Sequence, residues 1–435
     1  MTPHRPAAGP VLIVGFVGLT VPAIGRFQGP GSVVYVEEPD VLRKRHVHQL
    51  VEDVPFVREV IGWEYQLPGR ADEFYHAHPG LDPVAVIPAI EYATPFAARL
   101  AERYGLPGAG LGAALLLRDK SLLRLVTAAA GIPNPASARV HGPDEVREFM
   151  ARHTGPVVLK PTNRQASVGV RVIRHPDEVE AAWAGCLVQD EGVFVPDRPM
   201  ELAMLAEQFV AGEEFSVELL VRDGSTLFAN VTGKQLYPGP FPVERSHAVP
   251  ADLPPAAAAE LVAATERVVL ATGFATGVLH CEWIVADGVP HLVECAGRMP
   301  GDAIPDLIEV AYPVELFRDY FAVMCDEDPP PLPRTAAGGA AVRFLAAEGG
   351  AAGQVESITG IEAAQAAEGV LQAVCGVAKG HRFGGLRNSW DRAGIVMTRA
   401  GTAAEALRLA EAAAALVRIE VGAQAPDTTA TEEES

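Results

Sequence analysis

LHCEWIVADGVPHLVECAGRMPGD, residues Leu279 to Asp302, is the stretch on which the reading of the chain turns. Two apolar strands meet at Asp287-Gly288, each carries a carboxylate (Glu282 and Glu294), and Arg298 with a Met-Pro-Gly-Asp turn follows the second. An acid on each of two paired strands, with a cation just beyond, suits a magnesium ion held against phosphate and an arginine facing a reacting carbonyl. Register decides whether this works. Asp-Gly signals a two-residue hairpin turn, which sets Glu282 opposite Val293 and sends Glu294 to the other face. A three-residue loop, or a bulge in one strand, brings Glu282 and Glu294 onto one face. The metal reading requires that second register.

The totals bound the rest. A chain of 435 residues holds about three domains at roughly 150 residues each. With 49% hydrophobic and 21% charged residues it has the composition of a globular protein with substantial cores. A net charge of −20 argues against nucleic acid or an anionic membrane as partner. The five cysteines are scattered without metal-binding spacing, which points to a reducing compartment and to small core residues. The start, MTPHRPAAGP, lacks the apolar stretch of a signal peptide, and no apolar run is long enough to span a bilayer, so a cytoplasmic protein is expected. Only five of the 35 basic side chains are lysine. Where arginine serves most cationic needs, a retained lysine marks a point charge that a guanidinium fork cannot replace.

Taken in order, Val11–Leu19, Ser32–Glu37 and Val84–Ile87 read as strands and Tyr92–Tyr104 as a helix, a small parallel α/β domain. Its Gly15-Phe-Val-Gly18 turn lacks the third glycine of a dinucleotide fingerprint and fits a substrate crevice at the strand ends better. Arg118–Ala130 is an amphipathic helix with Asp119 near its start and Lys120 in its first turn, where a cation opposes the helix dipole. Val157–Pro161 ends a core strand on Lys160 and opens the polar loop Thr162–Gly169, an arrangement suited to phosphate. Leu205–Glu218 reads as two strands about Gly212, with Glu207 and Glu214 on them. Lys234–Pro250 reads as a Pro-rich loop whose Glu244 and His247 could hold an ammonium group or move a proton. Pro254–Thr272 is an Ala-rich helix. The linker DEDPPPLPRT precedes a last domain over Ala340–Val421, and the residues from Gly422 on read as disordered.

This order of Lys120, Lys160 with its loop, Glu207 to Glu214, then Glu282, Glu294 and Arg298 resembles the ATP-grasp superfamily of carboxylate–amine ligases, in detail the L-amino acid ligase (dipeptide synthetase) branch. The resemblance implies an α/β ATP-grasp fold: a Rossmann-like pre-ATP-grasp domain (1–115), two α+β nucleotide-gripping subdomains (116–196 and 197–330), a C-terminal α+β domain (336–422) and a disordered tail (423–435). It implies ATP and two Mg²⁺ as cofactors. Lys120 and Lys160 would contact the α- and β-phosphates, and Ser167 and Gly169 would belong to the loop that closes over them. Glu207, Gln208, Phe209 and Val210 would form the hinge that reads adenine, Glu214 would bind ribose, and Glu282 and Glu294 would bind the metal. Arg298 would face the acyl phosphate. Glu244 and His247 would line the amino-acid pocket and take part in catalysis, with Met299 and Gly301 also shaping it. Asp302 reads as a helix cap ahead of Ala303, with attraction of a cationic amine as its other role. Ala296 departs from the family, where an asparagine often adds a metal ligand, and the phosphate loop is poor in glycine.

The activity so implied joins a carboxylate to an amine, between two amino acids, through an acyl phosphate with release of ADP and phosphate. The partners would be small carboxylates and amines, with a homodimer expected. A purine-type carboxyaminoimidazole ribonucleotide synthase or carboxylase on the same fold, and an ATP-binding regulatory protein without turnover, are the alternatives.

Overall fold

The computed structural model describes residues 9–187, 195–199 and 201–422, so the tail expected from 423 lies outside the described residues. Among them four sheets form. The first is parallel, in the order Val57–Gly62, Val33–Glu37, Val11–Val14, Ala85–Pro88. The two inner runs VLIV and VVYVE and the edge run AVIP are buried throughout, as expected for strands covered on both faces. Val11, Ile13, Val33 and Tyr35 pack with Leu307 and Phe321 from the later helices Ile304–Ala311 and Leu316–Met324. The alternate residues Leu12, Val14, Val34 and Val36 pack with Phe74 and Phe96. The N-terminal sheet is thereby joined to the middle of the chain. Two details differ from the sequence reading. The first strand stops at Val14 because Gly15 turns to φ +86°, and the strand Val57–Gly62 was not expected. That strand lies on the sheet edge with charged Arg58 and Glu59 exposed, so it carries little apolar signal.

The second sheet is antiparallel, in the order Ser137–Val140, Met204–Gln208, Val157–Pro161, Arg171–Ile173, with the helices Pro143–Arg152 and Val179–Cys186 packed on it. The third has eight strands: Val289–Ala296, Gly277–Ala286, Glu213–Arg222, Ser225–Leu236, Glu244–Val249, Gly339–Leu345, Gly394–Ala400 and Val370–Cys375. It runs across the linker, since Glu244–Val249 pairs with Gly339–Leu345. A small sheet of Arg382–Gly384, Ala352–Thr359 and Arg418–Gly422 completes the C-terminal part.

Period-two alternation orients the large sheet. Phe215, Val217, Leu219 and Val221 join Leu279, Cys281 and Trp283 in the core under the helix Pro255–Thr272. The interleaved Glu214, Ser216, Glu218, His280 and Glu282 share the other face, towards the second sheet. The helix Lys120–Ala129, capped by Asp119, which accepts from the amides of Ser121 and Leu122, lies at the junction of the two sheets.

Candidate active site

The opening hairpin has the two-residue turn that Asp-Gly signals: Asp287 (φ +50°) and Gly288 (φ +78°) are both left-handed, and Ala286 pairs with Val289. The register is nevertheless the one a metal site needs. Trp283 pairs with Leu292, then the pairing shifts so that Glu282 faces Glu294, leaving Val293 as the extra residue of a β-bulge. Core packing favours this shift. Trp283 and Leu292 are both fully buried, and the indole N–H of Trp283 donates to Thr265 Oγ1 at 3.0 Å. The bulge carbonyl of Val293 accepts from Arg124 Nη2 at 2.6 Å.

Both carboxylates face lysines. Lys234 is hydrogen-bonded to Glu282 and lies 3.6 Å from Glu244, while Lys120 Nζ lies 3.0 Å from Glu294. Burial alone would raise the Glu282 carboxyl, but Lys234 and His280 hold it well below the usual carboxylate range. Burial pulls the Lys234 ammonium down, and the surrounding Glu282, Glu244 and Glu214 outweigh it and raise it. Burial together with the nearby Glu282 and Glu244 raises Glu214 to about 7. His280 links the acids from behind, with Nδ1 at 3.0 Å from Glu218 and Nε2 at 3.5 Å from Glu282. Desolvation lowers this imidazole, and the two carboxylates override it and raise it to about 9.

Across the cavity, Lys160 Nζ meets Glu207 Oε2 at 2.7 Å, and Arg124 Nε meets Glu207 Oε1 at 2.8 Å. Burial lowers the Lys160 ammonium, and Arg124 and Lys120 push in the same direction against Glu207. The loop after Lys160 turns through Ala166 (φ +55°), Ser167 (φ +58°) and Gly169 (φ +76°). Ser167 Oγ donates to Pro242 O at 3.1 Å. A Cβ on Gly169 would lie 3.0 Å from Pro161, so the loop returns to the sheet only through glycine. Gln208 and Phe209 follow Glu207 with their amides bonded to Ala136 O (2.8 Å) and Pro156 O (3.0 Å).

Arg298 stands at the far end, with Nε 3.1 Å from Glu91 and Nη1 2.9 Å from Met299 O. Glu91, which follows the last strand of the N-terminal sheet, also pairs with Arg118 at 3.2 Å. Three sequence readings are corrected here. Glu244 and His247 are on the strand Glu244–Val249, not on a loop, and they engage different partners. Glu244 accepts from Ser389 Oγ at 2.7 Å, whereas His247 is buried with Nε2 3.4 Å from Asp302. Asp302 caps no helix; Ala303 occupies that position without a side-chain bond, and both Asp302 oxygens bind the Arg392 guanidinium. Met299 is a core residue beside Ile304 and Leu307, so its side chain serves packing, while Gly301 is exposed.

Sequence reasoning missed Glu91, Arg124, His280, Ser389 and Arg392. Arg392 stacks 3.8 Å over Phe344, and Ser389 N–H reaches Ala166 O in the phosphate loop at 3.3 Å, so the C-terminal part closes the site. The capping box at Asn388–Asp391 was the one local signal for that turn.

A cavity of about 180 Å³ gathers Lys120, Lys160, Ser167, Glu207, Gln208, Phe209, Val210, Glu214, Glu244, Glu282, Glu294 and Arg298 on its walls. Pro135, Val158, Val172, Ile284 and Leu292 add an apolar slot at one end. The volume is below the 300–1,000 Å³ usual for small-molecule sites, and lysine–carboxylate pairs stand on its walls. A larger cavity of about 780 Å³ lies beside Tyr237–Val243 and the C-terminal strands, but holds none of these residues. Among the described residues no cluster of three or more His, Cys, Asp or Glu forms a ready metal cage, and no helix is long and apolar enough to cross a membrane.

The ATP-grasp domain family matches residues 153–306, and the family described as L-amino acid ligase C-terminal domain 2 matches 343–422. Alanine–anticapsin ligase of Bacillus subtilis is 28% identical over 243 residues, covering 52% of this chain and 51% of that protein. D-alanine–D-alanine ligase of Bordetella petrii is 30% identical over 220 residues, covering 48% and 64%. The chain thus spans about half the length of the first curated relatives it matches. In fold, it is similar to the crystal structure of an L-amino acid ligase from Bacillus licheniformis, with a TM-score of 0.76 at 18% identity over 96% of this chain and all of that one.

Proposed function

We propose that this chain, which belongs to the ATP-grasp superfamily, is an ATP-dependent ligase that joins the carboxylate of one amino acid to the amine of another. The observation that carries the proposal is the convergence of Glu282, Glu294, Lys120, Lys160 and Arg298 on one cavity. In the proposed pose the apolar slot takes adenine. With the Gln208 and Phe209 amides already engaged, Val210 offers its amide to the base. Lys120 and Lys160 leave their carboxylate partners for the phosphates, with loop amides around Ser167 and Gly169 closing over them. Magnesium generally uses one or two carboxylates and completes its shell with phosphate and water. Glu282 and Glu294, facing each other across the strand pair, fit two such ions, which would neutralise phosphate charge. Ala296 has no side-chain donor and would leave that ligand to water.

Transfer of the γ-phosphoryl group to a carboxylate converts a poor acceptor into an acyl phosphate, and the amine then displaces phosphate to form the amide. Positioning and charge neutralisation do most of that work. Arg298, aimed by Glu91, stabilises the transferring phosphoryl group and then the oxyanion. Four residues on, Asp302 is held by Arg392 and His247, and the amino-acid side is assigned to this cluster. The test is ADP release with ATP and magnesium over a matrix of amino acids, read with product mass. Amino-acid-dependent ADP with a dipeptide mass is the expected result. Bicarbonate-dependent ADP, or none with any substrate, would replace this reading with one of the alternatives.

A further inference from the structure

We infer that Arg124 is a positioning residue that fixes the register of the metal-binding hairpin, and so the orientation of Glu294. The inference rests on the reading of Glu294 as a metal ligand. Lys120 and Arg124 are four apart on the helix Lys120–Ala129 and share a face. That face grips two consecutive residues of the bulge: Arg124 Nη2 donates to Val293 O at 2.6 Å, and Lys120 meets the Glu294 carboxylate at 3.0 Å. Val293 is the residue the strand ladder skips, so its carbonyl needs a donor from elsewhere. The remaining donors of Arg124 go to Glu207 (2.8 Å) and Asn134 Oδ1 (3.3 Å), and Glu207 holds Lys160 with its other oxygen. One guanidinium therefore ties the bulge of the large sheet to the Glu207 and Lys160 strands of the second sheet.

The two-residue Asp287-Gly288 turn is compatible with a regular hairpin, in which Glu282 would face Val293 and Glu294 would leave the site. The bond to the bulge carbonyl favours the shifted register over the regular one. A lysine at 124 keeps the charge, but its single nitrogen cannot span acceptors as widely placed as Glu207, Asn134 and Val293.

The test is calorimetric binding of ADP to the full chain with and without magnesium, in the parent and in Arg124→Lys and Arg124→Met. Arg124→Met leaves Glu207 paired with Lys160, and Arg124→Lys preserves the test should the first variant not fold. In both variants the magnesium-dependent gain, taken as the ratio of ADP affinities with and without the metal, is expected to fall about tenfold or more, as for lost supporting contacts at other metal sites. An unchanged magnesium-dependent gain, even with a lowered melting temperature, overturns the inference and leaves Arg124 a stability residue. An equal loss with and without magnesium does the same. Failure of ligase turnover in the parent, with this binding pattern intact, counts against the proposed reaction and not against Arg124.

Discussion

The two sides of the cavity between the second and the large sheet are each built around a buried lysine, and they surround it in opposite ways. On the second sheet, Lys160 shares the single carboxylate of Glu207 with Arg124 of the helix Lys120–Ala129, so cations are in excess. On the large sheet, Lys234 stands among Glu282, Glu244 and Glu214, so acids are in excess. The same residue type is driven in opposite directions: Lys160 is made less basic and Lys234 more so. The site is therefore polarised before any ligand arrives, with a cationic side suited to phosphate and an acidic side suited to a metal ion.

The largest effect expected from this contrast is on stability. Lys234→Met strands several buried carboxylates and should cost about 3–5 kcal/mol in urea unfolding. Lys160→Met leaves Glu207 with Arg124 and should cost about 1.5–3 kcal/mol. Equal losses would mean that the two lysines are held alike and the contrast is false. Next in size is Arg298→Ala. Arg298 belongs to neither lysine cluster and is tethered to Glu91, so its removal should spare ADP binding while lowering turnover at least about a hundredfold, from roughly 2.7–4 kcal/mol of lost transition-state stabilisation. Near-normal turnover removes Arg298 from the reaction. Loss of ADP binding would instead make it part of the phosphate side.

The contrast was half legible in the sequence. The strand-end Lys160 and one acid on each strand of the Asp287-Gly288 hairpin are local patterns, and the alternation that sets Glu214 and Glu282 apart from Phe215, Cys281 and Trp283 was there to be read but went unused. The hairpin register is open in the sequence, because the bulge at Val293 is supported by Arg124 on a distant helix. Glu91 and Arg392 were invisible for the same reason: each meets its site partner, Arg298 or Asp302, only through the tertiary fold. Glu244 and His247 were misread as a loop because the prolines of Pro238–Pro242 mask the strand that begins two residues later. Asp302 looked like a cap because Ser, Thr, Asp and Asn before a helix usually are; a guanidinium 90 residues away in sequence takes it instead.

The smallest effect tests how far the acid excess reaches. A carboxyl raised from its ordinary 4.5 to about 7 in the folded chain, as for Glu214, contributes stability that is complete below about 4.5 and lost as pH rises through about 7. Glutamine mimics the protonated acid, so Glu214→Gln should melt with the parent at pH 4 and be the more stable of the two at pH 8. Glu37, raised by burial to about 7 in the N-terminal sheet, titrates in the same window, so the single variant should flatten the slope only in part and Glu37→Gln/Glu214→Gln further. His280, raised to about 9 from 6.5, loses its contribution between those values, and that later decline should persist in both variants. If Glu214→Gln gains nothing at pH 8, Glu214 is ionised at no cost, and Lys234 balances its neighbours more fully than three carboxylates around one ammonium imply.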